Sequence, residues 1–200
     1  MLKLKIAATI RLGVILAAAV TALGALRAEN PKTASLYSPI KYKDDFSRAS
    51  FDFNLGRSGT GTSWDLMYGN LYTGNDVDWF QPSMIGDNRH VIRDLGTLDW
   101  SDQIRVPLLI PRPKLMPGER REITVNTSAG AYDDWAANAE DEGIFARAVV
   151  GHMYALHAKN SRSDYYILFR VDSIEHGDHC TISWRRVRRP SRNSSLQVGR

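Results

Sequence analysis

Residues 146–187 read ARAVVGHMYALHAKNSRSDYYILFRVDSIEHGDHCTISWRRV, and the spacing inside this stretch decides the fold class. Tyr165, Ile167, Phe169 and Val171 alternate with Tyr166, Leu168 and Arg170. A period of two belongs to a β-strand, whose successive side chains leave opposite faces. Cys180, Ile182 and Trp184 alternate with Thr181, Ser183 and Arg185 in the same way. Ahead of both, Ala146 to Ala158 forms a long run rich in Val, Tyr and Leu, which reads as one more strand. The polar break Lys159–Asp164 and the loop through Glu175-His176-Gly177-Asp178 supply turn chemistry between the runs. Three strands joined by short polar loops predict an antiparallel β-meander.

The same period recurs upstream. Phe51, Phe53 and Leu55 alternate with Asp52 and Asn54 and end at Gly56; Trp64, Leu66 and Tyr68 alternate with Asp65 and Met67 and reach Gly69-Asn70. Val91, Arg93 and Leu95, then Ile123 and Val125, repeat it in shorter form. Ile104 to Ile110 is apolar but holds Pro107 and closes on Pro111 and Pro113, which suits an edge strand or an extended segment. Gly56 to Gly61 reads as a hairpin turn, since no Gly-Lys-Ser/Thr follows to make a phosphate loop. Tyr132 to Gly143, YDDWAANAEDEG, breaks the pattern and predicts one short inserted helix, capped by Asp133 or Asp134 and ended by Gly143. The expectation is an all-β, mainly antiparallel domain over residues 44–188, a sandwich or open barrel ending in a three-strand meander.

The ends read differently. Lys3, Lys5 and Arg11 precede an uncharged run from Leu12 to Leu26, with small residues Ala22, Gly24, Ala25 and Ala28 at and after its end. A basic start, a short apolar run and small residues are the parts of a secretory signal peptide, here residues 1–28. The run is shorter than the roughly 20 apolar residues of a spanning helix, which disfavours the alternative of an uncleaved signal-anchor. Residues 29–43 read as a linker and residues 189–200 as a basic disordered tail. An exported destination follows: periplasm, cell surface or medium.

Charge follows this division. The chain carries 26 Lys and Arg against 22 Asp and Glu, a net +4. Lys3, Lys5, Arg11 and Arg27 of the leader account for that surplus. From Arg185 onward six arginines occur and no acid, so the body between is acidic. The overall basic balance therefore gives no argument for nucleic acid. Membrane contact is expected only through the leader, where it stays attached. Cys180 is the single cysteine, so no internal disulfide forms, and its place in a strand pattern makes it a buried apolar residue.

The strand sequences also carry a resemblance. Phe51-Asp52-Phe53-Asn54-Leu55-Gly56, Ser63-Trp64-Asp65-Leu66 and Tyr72-Thr73-Gly74-Asn75 are similar to the first half of the HmuY-like family, which shows an aromatic-x-Phe segment, a Trp-Asp-Ile/Leu strand and a Thr-Asn step. Gly151-His152-Met153-Tyr154-Ala155-Leu156-His157, Tyr166 to Val171 and Thr181-Ile182-Ser183-Trp184 resemble its end. The likeness covers scattered parts of residues 50–187 and rests on structural positions. It implies an exported bacterial β-rich protein, and, because some members carry haem between two axial side chains, haem as an alternative ligand. No axial pair is assigned; the available pool is His90, His152, His157, His176, His179, Met84 and Met153.

Several constellations invite chemistry. Glu175-His176-Gly177-Asp178-His179-Cys180 packs metal-capable side chains into six residues, and His176 and His179 are both able to reach one zinc. On a strand, however, Cys180 and His179 leave opposite faces, so no metal site is assigned. His152 and His157 diverge for the same reason. Asn75-Asp76-Val77-Asp78, and Asp133-Asp134 with Glu140-Asp141-Glu142, are oxygen-rich but match no calcium loop of fixed ligand positions, and read as solvated loops. No Gly-x-Ser-x-Gly elbow occurs, and no catalytic residue is nominated. Trp79, Trp100 and Trp135 each follow an aspartate in a loop-like setting and form the candidate ligand-binding set; the plainer reading has them capping the ends of the core. The functional expectation is a non-enzymatic binding or interaction module for an extracytoplasmic ligand or protein. A haem-binding protein and a secreted hydrolase are the alternatives.

Overall fold

The computed structural model describes residues 30–39, 41–42, 45–59, 63–69, 78–111, 113 and 142–191. Ten strands run through them: β1 (Lys32–Tyr37), β2 (Ser50–Asp52), β3 (Arg57–Ser58), β4 (Leu66–Tyr68), β5 (Trp79–Pro82), β6 (Val91–Thr97), β7 (Ala146–Arg147), β8 (His152–Lys159), β9 (Asp164–Glu175) and β10 (His179–Val187). A 3-10 turn at Phe46–Ala49 is the helical element among the described residues. A long sheet has the order β1-β10-β9-β8-β6 and a short sheet the order β3-β2-β4-β5-β7. Every ladder is antiparallel and neither sheet closes into a barrel, so the architecture is the expected all-β sandwich.

The meander β8–β9–β10 forms as its periodicity predicts, with Tyr154 opposite Phe169 and Trp184 opposite Phe169 on the other side. Two residue runs behave differently from expectation. Ala146 to Ala158 is two strands: β7 joins the short sheet beside β5, the chain turns at Gly151 with φ +84°, and β8 enters the long sheet. Residues 32–37, expected in a linker, form the edge strand β1 against β10. Only Leu36 of β1 is buried, so the strand hides its period behind Lys32, Thr33 and Ser35, the polar dress of a protected edge.

The inner faces pack a largely aromatic core. Phe51, Phe53, Leu66, Tyr68 and Phe80 of the short sheet meet Tyr154, Ile167, Phe169, Ile182 and Trp184 of the long sheet. Phe169 stacks on Tyr154 at 5.0 Å and 13°, takes the edge of Phe80 at 5.0 Å and lies over Phe53 at 6.1 Å. Trp64 was expected to share the face of Leu66 and Tyr68. The chain bends at Asp65, and Trp64 packs instead with Ala49 and Met67 on the opposite face.

The long sheet is buried on both faces, which is why β8 and β9 are apolar at nearly every position. Its outer face, Met153, Ala155, Tyr166 and Leu168, is covered by Leu98, Trp100, Ile104, Val106 and Leu109. Residues 103–111 take part in no ladder, in keeping with Pro107 and Pro111. This strap is fastened by polar bonds. The Tyr166 hydroxyl donates to Leu109 C=O at 3.0 Å and accepts from Leu109 N–H at 3.1 Å. His157 Nδ1 reaches the same carbonyl at 2.8 Å, Trp100 Nε1–H donates to Ser183 Oγ at 2.9 Å, and Arg170 Nε–H donates to Leu98 C=O at 3.2 Å. Tyr166→Phe leaves the buried Leu109 N–H without an acceptor. The expected loss is about 1–3 kcal/mol of stability in denaturant unfolding, with faster amide exchange at Leu109. Unchanged exchange there would argue against the fastening.

The leader, the run at Ile123 and Val125, the expected helix from Tyr132 and the end of the basic tail lie outside the described residues. Among the described residues no helix is long and apolar enough to cross a membrane.

Candidate functional site

Ligand-capable groups, some exposed and some half-buried, gather at one end of the sandwich, around the β9–β10 turn. Glu175 and His179 face each other in the ladder. Asp178 N–H donates to Glu175 C=O at 2.9 Å, and Gly177 at φ +69° supplies the left-handed step that a side chain disfavours. A turn this tight projects three functional side chains together: donor atoms of Glu175, Asp178 and His179 lie within 4.8 Å of one another.

The edge strand brings the next members. Tyr37 sits opposite His179, and Ser38 N–H donates to Asp178 C=O at 2.6 Å. The chain then turns back, because Lys41 and Tyr42 N–H both bond Ser38 C=O at 3.2 Å. Lys41 Nζ donates to Asp178 Oδ2 at 2.5 Å and the Tyr42 hydroxyl to Oδ1 at 3.3 Å. The Lys41 ammonium holds the Asp178 carboxyl below the usual carboxylate range, and the bond to Asp178 raises Lys41 in turn. The short sheet contributes Asp78, just ahead of β5, which accepts from the Tyr68 hydroxyl at 2.5 Å and pairs with His176 Nδ1 at 3.0 Å. Burial and then Asp78 push the Tyr68 hydroxyl far above its ordinary value.

His176 and His179 thus part company: one goes to Asp78, the other to Glu175 and Asp178 at 3.7 Å each. Cys180 points into the core, where burial pushes its thiol up and makes it a poor nucleophile. The sequence pattern showed the turn residues, and Asp78 only as part of an acidic loop, but not Lys41; Lys41 and Asp78 lie 137 and 98 residues from their partners Asp178 and His176.

No family model, curated protein or solved structure matches this chain.

The three tryptophans are not brought together. Trp79 is 4% exposed in the short sheet, with the Arg147 guanidinium 5.0 Å from its ring centre. Trp100 is half-buried on the outer face of the long sheet, under Arg185 at 4.7 Å. The long sheet separates the two, and Trp135 lies outside the described residues. Of the possible haem ligands, His90, His157 and Met153 are buried and His152 pairs with Asp94 at 2.9 Å. Asp78 is the described member of the acidic loop at residues 75–78, and Glu142 of the one at 133–142.

A second polar cluster lies inside, joining the sheets. Asp65 accepts from Phe53 N–H at 2.8 Å and from the Tyr165 hydroxyl at 2.6 Å. Burial raises its carboxyl to about 6, with Asp52 nearby adding to the rise. His90 lies beside it, Nδ1 at 3.3 Å from Asp65 C=O, and burial lowers its imidazole to about 4. On the outer face, His157 stacks on Tyr166 at 4.2 Å and bonds Asp164 through Nε2 at 2.8 Å. Burial opposes charge on Asp164, but bonds from Lys159 and His157 outweigh it and hold the carboxyl at about 2. Asp65 and His90 pin one sheet to the other, and Asp164 and His157 help hold the strap.

Proposed function

We propose that the chain is an exported, non-enzymatic binding module that engages its ligand at the β9–β10 corner. The observation that supports this reading most is convergence. Lys41 and Tyr42, Asp78, and Glu175 through His179 come from three separate parts of the chain to one solvent-facing place. The basic, apolar and small-residue order of residues 1–28 supports export.

The test is a thermal-shift panel on the purified, untagged chain with divalent cations, haemin and simple glycans, beside ester and glycoside reporter substrates. The expected result is stabilisation by at least one panel member, lost on Asp78→Asn together with Glu175→Gln and kept on Trp100→Ala, with no reporter turnover. Turnover of a reporter, or stabilisation indifferent to the corner substitutions, would contradict the proposal. Haemin is in the panel because of the resemblance to the HmuY-like family, and a Soret shift that survives the corner substitutions would favour haem carriage instead.

A further inference from the structure

We infer that Glu175, Asp178 and His179 form a site for a zinc-class divalent cation. The inference rests on the corner being the binding site and names the chemistry of its ligand.

The donor set comes first. Two carboxylates and one imidazole offer a mixed O/N set whose ligand atoms lie within 4.8 Å of one another. Imidazole and carboxylate together suit zinc and its first-row neighbours, whereas calcium takes six to eight oxygens and has no use for a ring nitrogen.

The spacing comes second. His179 Nδ1 is 3.7 Å from Glu175 Oε2 and 3.7 Å from Asp178 Oδ2. Those separations are too long for hydrogen bonds. Two metal bonds of 2.0–2.2 Å at a tetrahedral angle place their donors about 3.4 Å apart, so the two separations from His179 need to close by only a few tenths of an ångström.

The third observation is independent of the other two. His179 Nδ1 is shielded from solvent and has no hydrogen-bond partner. A shielded ring nitrogen without a partner is costly. This one faces two acceptors, and a cation placed between them satisfies all three atoms at once.

The surroundings fit. The ring of His179 is held against Tyr37 at 5.7 Å, which limits its swing. Lys41 Nζ occupies Asp178 Oδ2 and stands where the cation would compete for that oxygen. Lys41 therefore tunes the affinity, since its bond to Asp178 Oδ2 must give way on loading. Cys180 and His176 take no part, the first turned into the core and the second bonded to Asp78.

The experiment uses the untagged chain, stripped with a chelator and titrated with zinc by calorimetry and with cobalt by visible absorption. Expected is one saturable site with tetrahedral cobalt bands. Glu175→Gln, an exposed change that leaves the fold intact, and His179→Gln should each weaken zinc binding about tenfold or more. Lys41→Met should strengthen it severalfold, and Trp100→Ala, outside the corner, should leave it unchanged. Absence of saturable binding at about 1 mM zinc, or binding that survives Glu175→Gln and His179→Gln, overturns the site. Failure of zinc alongside panel stabilisation that still depends on Asp78 would sink this inference and leave the corner as the binding surface. Failure of both would remove the corner reading as well.

Discussion

Phe169→Ala is expected to cost about 3–5 kcal/mol, enough to unfold much of the population of a domain of ordinary stability. Phe169 is fully buried at the middle of β9, the central strand of the long sheet. Its ring touches three other rings, Tyr154 in its own sheet and Phe53 and Phe80 in the other. Truncation loses the transfer energy of the ring and leaves a void that rigid aromatic neighbours are badly shaped to fill. Phe169→Leu, which keeps much of the volume, should cost well under half as much. Guanidinium unfolding followed by tryptophan fluorescence reads both, since Trp184 lies in the same cluster. Equal losses for the two variants would show that the site depends on something other than volume.

The second large effect is a pair of opposed pH dependences. Asp65 is raised to about 6 from 3.8 by burial, so the native state holds its proton where the unfolded chain has lost it. Its stabilising contribution is present below about pH 4 and is lost as pH rises through 6. His90 is lowered to about 4 from 6.5, so the native state resists a proton that the unfolded chain takes up. Its contribution is present above pH 6.5 and is lost as pH falls through 4. Each shift corresponds to about 3 kcal/mol, and the signs oppose across the same window. These two groups should therefore largely cancel in the parent chain between pH 4 and 6.5. Asp65→Asn, which keeps an acceptor for Tyr165 and Phe53, should expose the His90 slope, with stability falling by about 3 kcal/mol on acidification relative to the parent. His90→Gln should expose the reverse slope. Unfolding free energies measured at half-unit pH steps decide this, and curves parallel to the parent would contradict it.

Much of the fold was legible because its strands obey one rule. In β9 the alternation assigns Tyr165, Ile167, Phe169 and Val171 inward and Tyr166 and Leu168 outward, and the two packing layers divide in that way. Where the rule fails, a local cause is visible. β1 carries one buried residue in six, too few to register a period. Ala146 to Ala158 kept its apolar character while Gly151 turned the chain from one sheet to the other. Trp64 changed face because the chain bends at Asp65.

The site was legible only in part. Glu175 through His179 drew notice as a dense stretch, yet local spacing favoured His176 with His179 and missed Glu175 with Asp178. The choice depends on Asp78 taking His176 and on Lys41 taking Asp178, contacts that no local pattern reports. The tryptophans drew notice for their acidic neighbours, but Arg147 and Arg185 cover two of them from distant strands. Asp65, read as the polar partner in an alternating strand, lies at a bend and ties the sheets together through Tyr165.

The most direct test of the corner as a zinc site is a zinc titration of the isotopically labelled, untagged chain followed by two-dimensional amide spectra. The expected result is shift changes confined to residues 37–42, Asp78 and residues 175–180. Changes centred on Trp79 and Arg147, or on Trp100 and Arg185, or no changes at all, would contradict it.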